Sequence, residues 1–331
     1  MGNAVPMVEL WRGGMLESSH TGHAVICDAK GQIVQAWGDP AAVIFPRSSC
    51  KMLQALPLVE SGAADAAGLS AAHLALCCAS HQGAAVHTDM VTRWLSDLGL
   101  AESDLRCGPQ EPDDRQARDG LIRAFEAPCQ IHNNCSGKHS GFLTVNKHLK
   151  RGSEYTEVDH PVQKAVRDAF EEMTGETSPG FGIDGCSAPN FATSLHGLAR
   201  AMARFAAATD SGDARNRAAH RLTQAMVSHP ELIDGSTGAD TDLMRAMGGR
   251  VATKNGADGV YVAIIPHLQL GVALKIMDGA ARAKEAAIAS LLVRLGVLDA
   301  GHPVAKDRLG VDLHSRRGLR FGELRISGEF S

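Results

Sequence analysis

The chain has 331 residues, enough for one large domain or two small ones at the usual ~100–200 residues each. Its 33 Lys and Arg against 37 Asp and Glu leave a net charge of −4, which excludes the basic footprint of a nucleic-acid binder. Hydrophobic residues at 44% and charged residues at 21% describe a globular chain, and 4% aromatics are too few for a base-stacking platform.

Eight cysteines stand at 27, 50, 77, 78, 107, 129, 135 and 186. The chain is too long and too poor in Cys for a disulfide scaffold, so the reading is reduced thiols in the cytoplasm. The first twenty residues hold no apolar core of signal-peptide length, and no apolar run approaches the ~18 residues of a membrane span. Met1-Gly2 opens the chain, but Pro6 stands where a myristoylation signal needs Ser or Thr.

The predicted elements begin with a β-hairpin. His23–Cys27 and Ile33–Trp37 are apolar runs joined by the turn Asp28-Ala-Lys-Gly31. A helix starts at Ser48, with Met52, Leu53, Leu56 and Val59 on one face, and Pro57 places a kink or break near Ala55. A second helix covers about 87–99, with Met90, Val91, Trp94 and Leu98 at helical spacing. A third opens at His160-Pro161 and runs to Gly175, with Pro in its first turn. A fourth, about 192–207, carries Leu195, Leu198 and Met202 in register. Val260–Ile265 and Leu270–Met277 then read as antiparallel strands about a Pro266-His267 turn. Past Gly279 comes a helix with the stripe Ile288, Leu291, Leu292 and Leu295, ended by Gly296. Hairpins at both ends with helices between them predict an α/β (α+β) fold: an antiparallel sheet covered by helices plus a helical region. No linker divides it, so 1–331 reads as one catalytic domain.

Four segments carry chemistry. Ser48-Ser-Cys-Lys51 places a serine and a lysine three residues apart, on one face of a helix. A serine becomes a nucleophile when a neighbouring base takes its proton, and a lysine serves if it is neutral. An N-cap serine beside a solvated lysine is the plain alternative. Lys254-Asn255-Gly256, just before a strand hairpin, matches the Lys-Thr-Gly element that accompanies Ser-x-x-Lys in the penicillin-binding fold, with Asn for Thr. Ser80-His81 is a further nucleophile or relay, or a loop serine beside a surface histidine. His132–Gly141 (HNNCSGKHSG) is polar throughout and reads as a loop of convergent polar groups. Gly182–Asn190 (GIDGCSAPN) is a second such loop. Cys135 and Cys186 meeting there, with a third ligand, would suit tetrahedral zinc with one open position; buried inert thiols are the alternative. Cys50 stands inside the Ser-x-x-Lys motif, where its oxidation would block the site.

Arg47–Lys51, Ala79–His81, His132–His139, His160–Gln163 and Gly182–Asn190 together resemble the rhizobial-type (class 3, asparaginase II) L-asparaginases. Glu17–Gly22 and His229–Asp234 share the resemblance, which spans about Glu9 to Met277. It implies a serine β-lactamase-like fold, a homodimer, and hydrolysis of L-asparagine to L-aspartate and ammonia. It also implies two Ser–Lys tandems, here Ser48–Lys51 and Ser80–Lys254. A zinc held by Cys135, Lys138 and Cys186 is implied too, with Arg47, Asn134, Lys138, His139 and Asp184 at substrate-binding positions. Asp184 is the candidate partner of the substrate α-amino group.

The chemistry of the residues agrees with this. Ser48 would attack the amide, Lys51 would take its proton, and the backbone N–H groups of Ser48 and Ala257 would hold the oxyanion. The nearest rivals are glutaminase activity, since one methylene is worth only ~1–3 kcal/mol to a pocket, and a β-lactamase or D,D-peptidase. A zinc–thiolate redox sensor would use the cysteines but neither Ser–Lys pair.

Overall fold

The computed structural model describes residues 3–330; the Met1-Gly2 start lies outside them. The chain divides into two compact units, one of residues 1–49, 194–207 and 242–331, the other of 50–193 and 208–241.

The first unit holds an eight-stranded antiparallel sheet. Its order is Val311–His314, Arg320–Ile326, Val5–Arg12, Met15–Cys27, Leu270–Ile276, Val260–Ile265 and Ala252–Asn255, with Ile33–Trp37 paired to Met15–Cys27 off this path. Both expected hairpins form. Ala24 pairs with Trp37, and Leu270 pairs with Ile265. They join when Cys27 pairs with Gly271 and His23 with Lys275, so the two ends of the chain share one sheet. Three strands were not expected from sequence, Val5–Arg12, Val311–His314 and Arg320–Ile326, nor was the outer half of Met15–Cys27. The outer half of Met15–Cys27 is exposed at Met15 and Leu16, and Val311–His314 alternates half-buried with exposed residues, whereas Val5–Arg12 buries Met7, Val8 and Leu10 in the core.

Alternation along the strands sorts the two faces. Ile26, Tyr261, Ala263, Val272 and Leu274 pack with Ala283, Ala287, Ile288, Leu291 and Leu292 of helix Ala281–Arg294. The opposite face meets helix Leu195–Ala207. Gly271 sits under that helix, where a Cβ would lie 2.1 Å from the Ala203 nitrogen. The alanine-rich helix therefore packs backbone to backbone. Helix Ala281–Arg294 is followed by Gly296 in the left-handed conformation, as its sequence predicts.

The second unit is helical. Helix Lys51–Glu60, buried from Lys51 to Leu58, packs against Ser136–Leu149, Pro161–Thr174 and Ala214–Ser228. A 3-10 turn, Arg47–Cys50, precedes it, so the α-helix starts three residues later than predicted. It also runs on through Pro57 without the expected break: packing on three sides outweighs the one hydrogen bond that proline removes. Helices Ala85–Asp97 and Pro161–Thr174 fall close to their predicted spans. His160 caps the latter by accepting from Val162 N, and Gly175 closes it at φ 69°.

The HNNCSGKHSG segment corrects an expectation. Its second half is the start of helix Ser136–Leu149, and residues Ser136–Asn146 are buried. Ser136, Ser140 and Thr144 bond their hydroxyls to the carbonyls of Ile131, Ser136 and Ser140, which satisfies polar side chains without a loop. Gly137 and Gly141 set the crossing with helix Ala71–Cys77. A Cβ on either would come within 2.4 Å of Leu76 O or Cys77 Sγ.

No helix among the described residues is long and apolar enough to cross a membrane.

Candidate active site

In the sheet unit, Ser48 lies half-buried in the turn Arg47–Cys50. Arg47 enters that turn at φ 54°, in the left-handed region that a non-glycine residue seldom occupies. Its guanidinium pairs with the Asp258 carboxylate, and Asp258 also has φ 54°. Asp258 belongs to the loop after strand Ala252–Asn255. Lys254 is buried on that strand, with Nζ 2.9 Å from Asn255 O. It is a strand lysine, as the Lys-x-Gly comparison required. Gly256 follows, and a Cβ there would sit 2.8 Å from Pro46 O and 3.1 Å from Ser49 N. Only glycine lets this strand end touch the serine turn. Among the described residues, neither Ser48 N–H nor Ala257 N–H has a hydrogen-bond partner.

In the helical unit, Lys51 opens the buried helix with 1% of its surface exposed. Its Nζ is 3.0 Å from Ser80 Oγ, donates to Ala79 O, and is 3.5 Å from Asn134 O. Ser80 N–H donates to Ile233 O, and His81 N–H to Asn134 O. His81 is buried. Its Nδ1 accepts from Gly83 N, and its Nε2 is 2.9 Å from Ser136 Oγ. Burial, then the neighbouring His87, holds its pKa well below the usual histidine value, so it is neutral and Nε2 carries the proton. Asn134 accepts from Lys51 at its carbonyl and donates its own N–H to Gln110 Oε1.

A third group surrounds Lys138. Helix Ser136–Leu149 puts Cys135 at its N-cap and Lys138 in its first turn. Antiparallel strands Phe181–Ile183 and Pro189–Phe191 hold a turn that presents Cys186. Ser187 N–H closes that turn onto Asp184 O, with Ser187 at φ 68°. Lys138 Nζ lies 3.0 Å from Cys186 Sγ. Cys186 is held well below the ordinary thiol pKa, first by the Cys135 hydrogen bond and then by the Lys138 ammonium, which together outweigh burial. Cys135 keeps its proton: that same bond and burial push it up to about 12. Burial alone would neutralise Lys138, but the Cys186 and Cys135 sulfurs outweigh it and hold the ammonium.

The remaining expected residues are placed as follows. Asp184 is half-buried, accepts from Gly185 N, and its charge acts on Lys138 and Cys50. His139 is fully buried, with Nδ1 2.9 Å from Tyr155 Oη, and burial followed by the Lys138 charge drives its pKa down to about 3. Cys50 is also fully enclosed, and burial pushes its thiol up to about 12. It does not offer the thiolate that oxidation needs. Among the described residues, no group of three His, Cys, Asp or Glu is placed to hold a metal.

Several residues escaped sequence reasoning. Asp258 stands next to the Lys-x-Gly element and was within reach as a charged loop residue. Tyr155, Gln110 and Lys284 carry no local signal, because each acts across a long sequence separation.

Among solved structures, a candidate β-lactamase from Bacteroides dorei DSM 17855 is 12% identical, covering 83% of this chain and 93% of its own, with TM-score 0.47. A β-lactamase/D-alanine carboxypeptidase from Pseudomonas syringae is 12% identical over 85% of this chain and 94% of its own, TM-score 0.43. A structure described as Mglu in its native form is 13% identical over 85% of this chain and 66% of its own, TM-score 0.46. No curated protein matches. The family model described as L-asparaginase II matches residues 8–326, nearly the whole chain. The chain belongs to the L-asparaginase II family.

Proposed function

We propose that the chain hydrolyses the side-chain amide of L-asparagine to L-aspartate and ammonia, with a serine nucleophile and a lysine base. The observation that carries this reading is Lys51: a buried amine, three residues after Ser48 on a continuous helical segment, with Nζ 3.0 Å from Ser80 Oγ. Family membership supports an amidohydrolase.

In this reading Ser48 Oγ attacks the amide carbon while Lys51 takes its proton. The unpartnered N–H groups of Ser48 and Ala257 hold the oxyanion. The tetrahedral adduct collapses, the C–N bond breaks, and the Lys51 ammonium returns a proton to the leaving ammonia. Water then cleaves the acyl ester, one of its protons passing through Lys51 back to Ser48 Oγ, and aspartate leaves. Ser80, already bonded to Lys51, relays the proton, with Lys254 as the further lysine of the site. The Asp184 carboxylate takes the substrate α-amino group. The chain works as a homodimer, which sedimentation would test.

Zinc belongs to the same proposal, on Cys135, Lys138 and Cys186. The donor set fits. The 3.0 Å between Lys138 Nζ and Cys186 Sγ is near the ~3.5 Å edge of a tetrahedron built from Zn–N of ~2.0 Å and Zn–S of ~2.3 Å. Three protein donors leave one position open. When bound there, the ion would polarise and orient a substrate group rather than generate hydroxide, because the serine and lysine already supply the nucleophile.

The test is ammonia release from asparagine with glutamine alongside, for the unmodified chain and for Ser48→Ala and Ser80→Ala. No release from asparagine would sink the proposal. Unchanged turnover in Ser48→Ala would move the nucleophile to Ser80.

A further inference from the structure

Lys284 lies on helix Ala281–Arg294, in its first turn and 9% exposed. Its Nζ is 2.7 Å from Gly256 O and 3.4 Å from Asn255 Oδ1. The flanking Ala283, Ala286 and Ala287 are in the apolar core beneath the sheet, so the base of this side chain is fixed. Gly256 O and Ala257 N–H are the two ends of one peptide unit.

Two adjacent peptides here each receive a lysine, and they differ. Lys254 Nζ donates to Asn255 O, but the N–H of that peptide, on Gly256, already donates to Val260 O at 2.8 Å. Lys284 donates to Gly256 O, and the N–H of that peptide, on Ala257, has no partner among the described residues. A cation at a carbonyl draws electron density toward the oxygen, which makes the N–H at the other end a stronger donor. The effect is useful where that donor is open to receive a developing negative charge.

We propose that Lys284 is a positioning residue for the reaction: its ammonium polarises and fixes the Gly256–Ala257 peptide so that Ala257 N–H becomes the stronger oxyanion donor. The inference rests on the proposed function for its catalytic consequence, though not for the polarisation itself. Lys284 touches no substrate. It acts through one peptide bond.

Removing a whole oxyanion donor costs ~10²–10³ in kcat, so weakening one should cost about tenfold. The test uses the full chain with Lys284→Met, which keeps the length of the side chain, and Lys284→Arg, which keeps the charge. Carbonyl-¹³C glycine with ¹⁵N alanine isolates only the Gly–Ala peptides, at Gly62, Gly83, Gly238, Gly256 and Gly279. In Lys284→Met the Gly256 carbonyl and Ala257 amide signals should move upfield while the other four pairs stay. kcat for asparagine should fall about tenfold with KM within twofold, and Lys284→Arg should recover most of both. A lost kcat without movement of the Gly256–Ala257 pair would overturn the inference, as would a moved pair with unchanged kcat. If Lys284→Met fails to fold, a Lys284→Arg chain whose pair shifts and whose kcat falls like a neutral substitution overturns it as well. An unmodified chain that releases no ammonia from asparagine removes the proposed function and with it the catalytic half of the inference. The carbonyl shift still decides the polarisation.

Discussion

Replacing Lys51 with Met tests the base directly. The thioether is similar in length to the lysine stem, so it fills the same buried space. What disappears is the amine that bonds Ser80 Oγ at 3.0 Å and the Ala79 carbonyl. A positioned general base is worth ~10²–10⁴ in rate, or about 2.7–5.4 kcal/mol at 1.36 kcal/mol per tenfold. KM should stay within a few-fold, because the amine acts on the serine proton and not on the bound substrate. Stability should change little. Ala79 O is left without its donor at a cost of about 1–3 kcal/mol. Relief from burying a polar amine in a residue only 1% exposed offsets part of that loss. The melting temperature should therefore move by only a few degrees, while coupled ammonia release shows kcat down at least a hundredfold. A folded Lys51→Met chain with kcat within tenfold of the unmodified one would refute the assignment of the base.

Other predictions follow from the same geometry. Gly137→Ala drives a Cβ to 2.4 Å from Leu76 O, a backbone atom that cannot swing away, so the helical unit should lose about 1–3 kcal/mol in a denaturant melt. An unchanged midpoint would mean the two helices separate freely. Cys50, Cys77 and Cys107 are pushed up to about 12, chiefly by burial, so at pH 8 roughly one thiol in ten thousand is ionised. Iodoacetamide should leave all three unlabelled in the folded chain, and mass spectrometry showing Cys50 labelled would contradict that. If zinc sits on Cys135, Lys138 and Cys186 as proposed, binding must remove a proton from Cys135, whose pKa is pushed up to about 12, and one from Lys138, whose pKa is held up, while Cys186 is held low. Both protonated groups titrate above neutrality, so affinity in a chelator competition should rise with pH, by up to ~100-fold per unit between pH 6 and 8. A flat profile would remove these three donors from the metal site.

Much of the sheet was legible because its strands obey simple rules. Val260–Ile265 is a continuous buried apolar run, and Leu270–Ile276 is apolar and buried apart from half-buried Leu270 and Lys275, the two separated by a proline turn. The division into two units was not legible. The chain passes between them at 49/50, 193/194, 207/208 and 241/242. The first crossing falls inside the turn Arg47–Cys50, and the last inside helix Ala239–Ala246. No glycine- or proline-rich linker marks either, so composition had nothing to report. The site residues were legible as types in motifs, but their partners were not. Arg47 answers to Asp258, 211 residues away, and Lys51 to Ser80, 29 away.

The polar segment HNNCSGKHSG shows where polarity misleads. Its residues suggested a loop because a run of Ser, Lys, His and Asn has no apolar face. Two features pointed the other way. Gly137 and Gly141 are four residues apart, the spacing that lets one helix press on another, and Ser136, Ser140 and Thr144 repeat the same interval. Hydroxyls at that spacing can bond back to the helix and need no solvent. The helix can therefore be buried while polar, and its burial gives the site its electrostatics. Lys138 remains an ammonium inside the protein because Cys186 faces it as a thiolate at 3.0 Å. The same charge then helps hold His139 neutral, one residue on. Had this segment been a solvated loop, water would have screened each of those effects, and neither the thiolate nor the neutral histidine would follow.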